Sequence, residues 1–276
     1  AGVHLAHGKA TYLSVPFFVA RMVAYFAAWL VAARFFFKRS LQQDTTGDPM
    51  VTVKMERRAA PAMVVFAFTL TFASIDLVMS LDPGWYSTIF GVYYFAGCVV
   101  GIYALLTAAV FTLQRAGFLR NAVTVEHYHD LGKLLFGFVV FWAYIGFSQY
   151  MLIWYANLPE ETVYFLKRAG NGWLPYLLLL PVLKFLVPFL LLVPREAKRQ
   201  PRKLVPVAIL ILFAQFWELY VMVSPAVGHE EAPAQGHLPL VELAVTLGFV
   251  GLFTLVFGGA LARHGAVPLK DPGLAE

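Results

Sequence analysis

The sequence contains little charge and almost no cysteine. Only 13% of its 276 residues are charged, whereas 60% are hydrophobic and 16% are aromatic. Soluble globular domains have about a quarter of their residues charged, so this composition excludes that class and indicates a polytopic membrane protein. The one cysteine, Cys98, lies within an apolar run. The chain therefore cannot build a disulfide framework, a cysteine-bound cluster or a cysteine-bound zinc site by itself.

Histidine is missing from the apolar segments. All seven histidines lie in predicted loops or at predicted helix ends: His4, His7, His127, His129, His229, His237 and His264. A membrane haem needs axial ligands on facing helices within the bundle, and the sequence has neither a P-loop nor a GxSxG motif. We therefore expect the chain to bind no metal, haem or flavin, so that any electron transfer uses a bound small molecule or a partner subunit.

Seven apolar segments of membrane-spanning length follow one another along the chain. They predict a single all-α membrane domain over residues 1–276, a polytopic bundle of transmembrane helices. The predicted spans are approximately 12–37, 60–81, 88–113, 133–157, 173–194, 204–224 and 238–262.

The fourth segment has polar side chains on two faces. At about 100° per residue, Tyr144 and Tyr155 share one face while Trp142 and Gln149 share another. A helix that only had to sit in lipid would not need hydrogen-bonding groups on both, so we expect this helix to be buried among others.

The basic residues of the loops alternate between the two sides of the membrane. Loops 38–59, 114–132 and 195–203 are basic, whereas the intervening loops carry no Lys or Arg or balance them with glutamates. The positive-inside rule then predicts an N-terminus outside and a C-terminus inside. Membrane topology explains the net charge of +5 better than a nucleic-acid footprint does, so no nucleic-acid partner is predicted.

Polar groups at membrane depth form the candidate site, because such residues usually face a bundle interior or a hydrated path. Under the predicted topology they divide into an outer set, a midplane residue and an inner set: Arg21, Asp76, Gln149 and Glu218; Lys184; and His127, His129, Asp130 and Lys133. As a whole they favour a route for protons with a gap near the midplane.

Structural roles are the alternative for each of these groups. Arg21 can pair with Asp76 or Glu218 to hold helices together, since buried pairs need not be functional. Lys184 lies between Pro181 and Pro188, which are expected to kink or break the fifth helix and leave carbonyls for the amine to cap. The histidines and Asp130 are typical of an ordinary helix start.

Four long strings of the sequence resemble one known family, the F subunit of bacterial alternative complex III. The strings are TFASIDLVMSLDPGWYSTIFGVYYFAG (71–97), HDLGKLLFGFVVFWAYIGFSQYMLIWYANLPEET (129–162), HGKATYLSVPFF (7–18) and KFLVPFLLLVPREAKR (184–199). That complex is a quinol:electron-acceptor oxidoreductase that replaces the cytochrome bc complex. Its F subunit is related to the membrane subunits of polysulfide-reductase type enzymes.

The resemblance implies a multi-pass subunit of the bacterial cytoplasmic membrane that normally has ten helices. The chain lacks an initiator Met and a signal peptide, so we expect it to be a piece of a longer protein; three missing helices would leave the present N-terminus outside. Haem and iron–sulfur clusters would belong to partner subunits, namely a related multi-helix membrane subunit, an iron–sulfur subunit and c-type haem subunits. Quinol or menaquinol would act at the level of the complex. Where the family commonly has a histidine and an aspartate, this sequence has Gln215 and Glu218.

Three functions are compatible with these observations. The first is a proton-translocating subunit of the quinol-oxidising complex. It would provide proton half-channels and part of a quinol-binding site whose residues the sequence does not identify. The second is a structural membrane anchor of the same complex without chemistry of its own. The third, a secondary transporter, is favoured only by the interrupted helix around Lys184, and no internal repeat supports it.

Overall fold

The computed structural model describes residues 11–119, 122–227, 236–263, 267 and 270, and no strand occurs among them. Its helices are α1 (Val15–Thr46), α2 (Pro49–Leu77), α3 (Phe90–Arg115), α4 (Val125–Ala156), α5 (Pro159–Ala169), α6 (Leu174–Leu192), α7 (Arg195–Arg199), α8 (Pro201–Val223) and α9 (Leu240–Leu261). Seven of these described helices (α1 to α4, α6, α8 and α9) are long and apolar enough to cross a membrane. The predicted all-α bundle of seven spanning helices is confirmed, and the chain is a multi-pass membrane protein.

The chain forms two compact units. The first unit comprises Ala1–Leu77 with Leu252–Glu276, and the second comprises Val78–Gly251. Helices α1 and α2 belong to the first unit and α3 to α8 belong to the second, while α9 contributes residues to both. The single membrane domain and the orientation of the termini stay predictions.

In the first unit, α1 and α2 form an antiparallel hairpin. Three side-chain contacts mark its register: Arg21 with Asp76, Trp29 Nε1 with Thr69 Oγ1 at 2.9 Å, and Gln43 with Thr52. Helix α1 ends at Thr46 and is capped by Gly47, whose φ of 66° is the left-handed conformation that glycine commonly adopts after a helix; the Gly47 N–H donates to the Gln43 carbonyl.

Two predicted loops are largely helical. The loop predicted over 38–59 contains the last turns of α1 and the first turns of α2, and the loop predicted over 158–172 contains α5. Neither glycine nor proline occurs between Phe37 and Thr46, so nothing in that stretch stops the helix. The polar residues there indicate where the helix leaves the hydrocarbon and do not mark its end.

In the second unit, α8 is the most buried spanning helix. Its small and branched side chains pack with those of α3 and α4 in one core, formed around Ala96, Val100, Leu135, Val139, Leu204, Ala208 and Ile211. Small residues on α3 and α8 allow their backbones to lie close together. By contrast, α9 has no buried residue.

Helix α4 buries one face only. Trp142, Ile145, Gln149 and Ile153 recur at spacings of three and four residues and are buried, which is the pattern of a single helical face. Tyr144 and Tyr155 are 65% and 84% exposed. The expectation that both polar faces of this helix are buried is therefore wrong for these tyrosines within the chain.

Candidate functional site

The second unit contains a buried ion pair between α6 and α8. The Lys184 amine donates a hydrogen bond to Glu218 Oε2, and the two side chains are 0% and 3% exposed. Lys184 Nζ also donates to Gln215 Oε1 at 2.8 Å, and Gln215 Nε2 donates to Glu218 Oε2 at 3.1 Å. Two predicted site residues are thus brought together, and Gln215 closes a three-membered polar cluster. We call Lys184, Gln215 and Glu218 the buried triad.

An aromatic residue of α4 completes the surroundings of the triad. Trp142 Nε1 donates to Glu218 Oε1 at 2.6 Å, while Lys184 Nζ lies 4.7 Å from the centroid of the Trp142 ring. The indole therefore binds the carboxylate through its N–H and faces the ammonium with its π surface. Both oxygens of Glu218 accept hydrogen bonds, so the buried charges are compensated.

A π-helical turn presents Lys184 to α8. Helix α6 changes from α-helix to π-helix over Val182–Leu186 and returns to α-helix at Val187, whose N–H donates to the Val182 carbonyl. Pro188 has no N–H to offer the Lys184 carbonyl, so the α-helical bond ladder fails there. The proline spacing thus leads to a wider turn beside the buried amine, a type of irregularity that is frequent at functional sites.

Two glycines of α3 form one wall of the triad. A Cβ placed on Gly97 would lie 3.0 Å from Glu218 Oε2 and 3.4 Å from Lys184 Nζ, and a Cβ on Gly101 would lie 3.5 Å from Gln215 Oε1. The Gly97-x-x-x-Gly101 motif therefore does more than let two helices approach. It leaves the space that the polar side chains occupy.

Gln149 lies further along the buried face of α4, two turns or about 10 Å beyond Trp142. Its Nε2 donates to Ser87 Oγ at 3.2 Å. Both residues line a cleft of about 300 Å³ that also contacts Tyr86, Ile153 and Glu161. Gln149, which the sequence predicts to lie in the outer half of the membrane, therefore lines the wall of this cleft.

Arg21 and Asp76 pair within the first unit. Arg21 Nε donates to Asp76 Oδ2 at 2.8 Å and Nη2 donates to Oδ1 at 3.1 Å, while the Tyr25 hydroxyl donates to Oδ2 at 2.9 Å. The guanidinium also stacks on Tyr12, 3.8 Å from its ring centroid. This bidentate pair, with Asp76 fully buried, agrees with the structural alternative for these two residues.

The predicted inner set forms the start of α4. The Thr124 N–H donates to His127 Nδ1 at 3.1 Å in a capping box, and Lys133 Nζ pairs with Asp130 Oδ1 at 2.7 Å. His127, Asp130 and Lys133 are exposed, and His129 Nδ1 lies 3.7 Å from a Glu126 oxygen. These contacts are those of a helix start, and none of them connects with the buried triad.

The second unit contains a second buried ion pair, which was not predicted from the sequence. Asp82 is buried and accepts hydrogen bonds from Lys167 Nζ at 2.7 Å and from Arg168 Nη1 and Nη2 at 3.3 Å. Arg168 Nη2 also donates to the Met222 carbonyl at 2.6 Å, and its guanidinium lies 3.5 Å above the Tyr164 ring. The sequence signal for this pair was the helical pattern of residues 159–169, because that pattern places Arg168 on the inward face of α5.

Lys198 was missed as well. Its Nζ donates to the Leu192 and Val193 carbonyls at 2.5 and 3.0 Å, which satisfies acceptors at the end of α6. Its stem packs on Gly132, where an added Cβ would lie 2.9 Å from Lys198 Cβ. Burial lowers the pKa of the Lys198 amine.

Replacing Lys198 by methionine is expected to lower the free energy of unfolding by about 1–3 kcal/mol, because two carbonyls lose their donor. Lys203→Met, at an exposed position, serves as the control and should change the free energy of unfolding by less than about 0.5 kcal/mol.

The lowered pKa of Lys198 also makes stability depend on pH. Between the folded and unfolded pKa values of Lys198 the unfolded chain binds more protons, so the free energy of unfolding rises with pH in that range. Denaturation in detergent at several alkaline pH values should show a smaller rise in Lys198→Met. A rise in Lys198→Met equal to that in the unmodified protein would contradict the assignment of this pH dependence to Lys198.

Comparison with models of known protein families finds no match to this chain, and comparison with curated proteins finds none either. Within the described ranges, no group of three or more His, Cys, Asp or Glu side chains is arranged to bind a metal ion.

Proposed function

We propose that this chain is a proton-translocating membrane subunit of a quinol-oxidising complex of the alternative complex III type. The observation that carries the proposal is the buried triad, a fully buried amine and carboxylate in direct contact on two spanning helices. Ionisable groups within a membrane are costly and usually mark a substrate, ion or proton pathway. The resemblance of the four sequence strings supports the proposed identity of the complex.

The triad can pass a proton through changes in its own charges. In the resting pair, the Lys184 ammonium and the Glu218 carboxylate neutralise each other. A proton arriving on Glu218 leaves the ammonium without a counter-charge in a low-dielectric site, which favours release of a proton from Lys184. Gln215 holds both partners in register. One proton enters at Glu218 and one leaves from Lys184, and transfer of the proton from the Glu218 carboxyl to the adjacent Lys184 amine restores the resting pair.

The π-helical turn supports this role. An irregular turn within a spanning helix leaves backbone groups that can re-pair when a side chain moves. Lys184 lies within that turn, so a small change of the turn can shift its amine relative to Glu218. Such a shift would let the amine exchange protons with one side of the membrane at a time.

The complex supplies the rest of the function. Quinol or menaquinol oxidation would take place in the assembled complex, in the bacterial cytoplasmic membrane. The haem and iron–sulfur centres would lie in the partner subunits named above. The proposed proton route also includes Asp76, Arg21 and the inner set at the start of α4. The contacts of the triad support the proposal more strongly than the contacts of these residues do.

A structural anchor is the second candidate function. The observation in its favour is that Asp76 and Asp82 are each held by cations and hydrogen bonds in the manner of structural ion pairs. In that case Glu218 would serve assembly and not proton transfer.

The two functions are separated by Glu218→Gln in the intact complex, which keeps the size of the side chain and can still accept from Trp142. We expect the complex to assemble and oxidise quinol while proton uptake per quinol, measured in liposomes with a pH-sensitive dye, falls by at least tenfold. Glu242→Gln is the matched control, since Glu242 contacts His237 at the start of α9 and lies outside the triad. Unchanged proton translocation by an assembled Glu218→Gln complex would favour the anchor.

A further inference from the structure

The hairpin of α1 and α2 carries a group of exposed cations near its turn. Arg34 and Lys38 of α1 and Lys54, Arg57 and Arg58 of α2 are all exposed. None of the five takes part in an ion pair formed by residues that the structure describes. We call these five residues the basic collar.

The collar occupies a band of the hairpin that runs from Lys54, about 9 Å from the turn, to Arg34, about 20 Å from it. Lys38 lies nine residues before Gly47 and Arg57 lies nine residues after Asp48, so both are about 14 Å from the turn at about 1.5 Å per residue. Arg34 lies one helical turn before Lys38, and Arg58 follows Arg57. The antiparallel register set by Gln43 and Thr52 therefore brings cations of both helices to similar heights.

The distance from the collar to the other end of the hairpin matches the thickness of a bilayer. Nineteen residues separate Val15 from Arg34, and nineteen separate Arg58 from Leu77. Each interval corresponds to about 28 Å of helix, close to the hydrocarbon thickness of about 30 Å. When the Val15 and Leu77 ends lie at one interface, the collar lies at the phosphate layer of the other.

We propose that the basic collar binds the phosphate groups of anionic phospholipids in the leaflet at the hairpin turn. Exposed cations at headgroup depth attract acidic lipids, and an arginine can bind a phosphate through two parallel N–H donors. The exposed carboxylate at collar height is Glu56, which leaves the collar with an excess of positive charge. The carboxylates of Asp44 and Asp48 lie nearer the turn, further into water.

A lipid fits the collar better than an acidic protein does. The cations lie on both helices of the hairpin within a band about 10 Å deep on one side of the bilayer, as binding to one leaflet of headgroups requires. The polar segment beyond the collar, which extends about 14 Å further, carries acidic residues of its own, and these disfavour an acidic protein bound across the turn.

The test compares lipid adducts of the purified protein by native mass spectrometry after extraction from bilayer discs of phosphatidylcholine with 30% phosphatidylglycerol. The removal variant is Arg34→Gln/Arg57→Gln/Arg58→Gln, and the matched control is Arg34→Lys/Arg57→Lys/Arg58→Lys, which keeps the charges. We expect the glutamine variant to lose phosphatidylglycerol adducts by roughly tenfold or more, and the lysine variant to keep most of them. Raising the salt concentration should displace phosphatidylglycerol from the unmodified protein.

Each other outcome overturns the proposal. Undiminished phosphatidylglycerol adducts in the glutamine variant, or equal binding of phosphatidylcholine by the unmodified protein, exclude a charge-dependent lipid site. Unchanged adducts together with loss of a partner subunit during purification identify the collar as a protein interface. If the glutamine variant does not fold, the salt titration of the unmodified protein decides, and adducts that persist at high salt contradict the proposal.

Discussion

Lys184→Met is expected to lower the free energy of unfolding by about 3–5 kcal/mol, because it leaves the Glu218 carboxylate buried without its counter-charge. Glu218 keeps the Trp142 N–H and the Gln215 amide as donors, but neither of them carries a charge. Methionine fills a volume similar to that of the lysine stem, so loss of packing contributes little. Chemical denaturation in mixed micelles, followed by tryptophan fluorescence, measures the change.

A double variant tests whether the loss arises from the pair. Lys184→Met/Glu218→Gln removes both charges while the glutamine can still accept from Trp142, and we expect it to recover at least half of the stability lost in Lys184→Met. Neutral replacement of a whole buried pair is often tolerated. A double variant that is less stable than the single one would show that the two residues act independently, contrary to their contact in the structure.

Asp76→Ala is expected to destabilise the protein by about 3 kcal/mol or more, because the Arg21 guanidinium loses both hydrogen bonds to its carboxylate. Arg21 is only 11% exposed, so water compensates for little of this loss. Tyr25→Phe removes one hydrogen bond to the same carboxylate and should cost about 1 kcal/mol, which gives a graded comparison. Thermal unfolding in detergent measures both variants. Equal destabilisation by Asp76→Ala and Tyr25→Phe would contradict a bidentate ion pair between Arg21 and Asp76.

Asp76→Asn separates structural support from proton transfer. The sequence predicts that Asp76 belongs to the proton route, whereas the structure places it in a closed ion pair. If Asp76 exchanges protons, an assembled Asp76→Asn complex should oxidise quinol but translocate fewer protons in liposomes. If Asp76 serves only the ion pair, complexes that assemble should translocate protons at the normal ratio.

Hydropathy was sufficient to predict the architecture. Seven apolar segments correspond to seven helices of spanning length among the described residues, because a helix that crosses hydrocarbon must satisfy its backbone internally and present apolar side chains over its whole length. The ends were less predictable. Charged residues such as Lys38 and Arg57 indicate where water begins, and a helix without Gly or Pro continues beyond that point.

The members of the candidate site were predictable, but their pairing was not. Lys184 and Glu218 stood out as charges within apolar segments, yet a π turn shifts the residues after it by about 100° around the helix axis. A regular helical projection therefore cannot give the partner of Lys184. Asp82 and Arg168 were missed for a different reason, since both fall between apolar segments, where charges are ordinary.

The contact between Lys184 and Glu218 also bears on how the protein is made. The two residues are separated by 34 positions in the chain, so at about 5–20 residues per second the ribosome adds Glu218 roughly 2–7 seconds after Lys184. During that interval α6 carries a central lysine, which insertion scales penalise by about 2.5–3.5 kcal/mol, and two prolines. Its leucine-rich sequence offsets part of this penalty. The cost of placing α6 in lipid alone is therefore higher than its cost once Glu218 of α8 is present to neutralise Lys184.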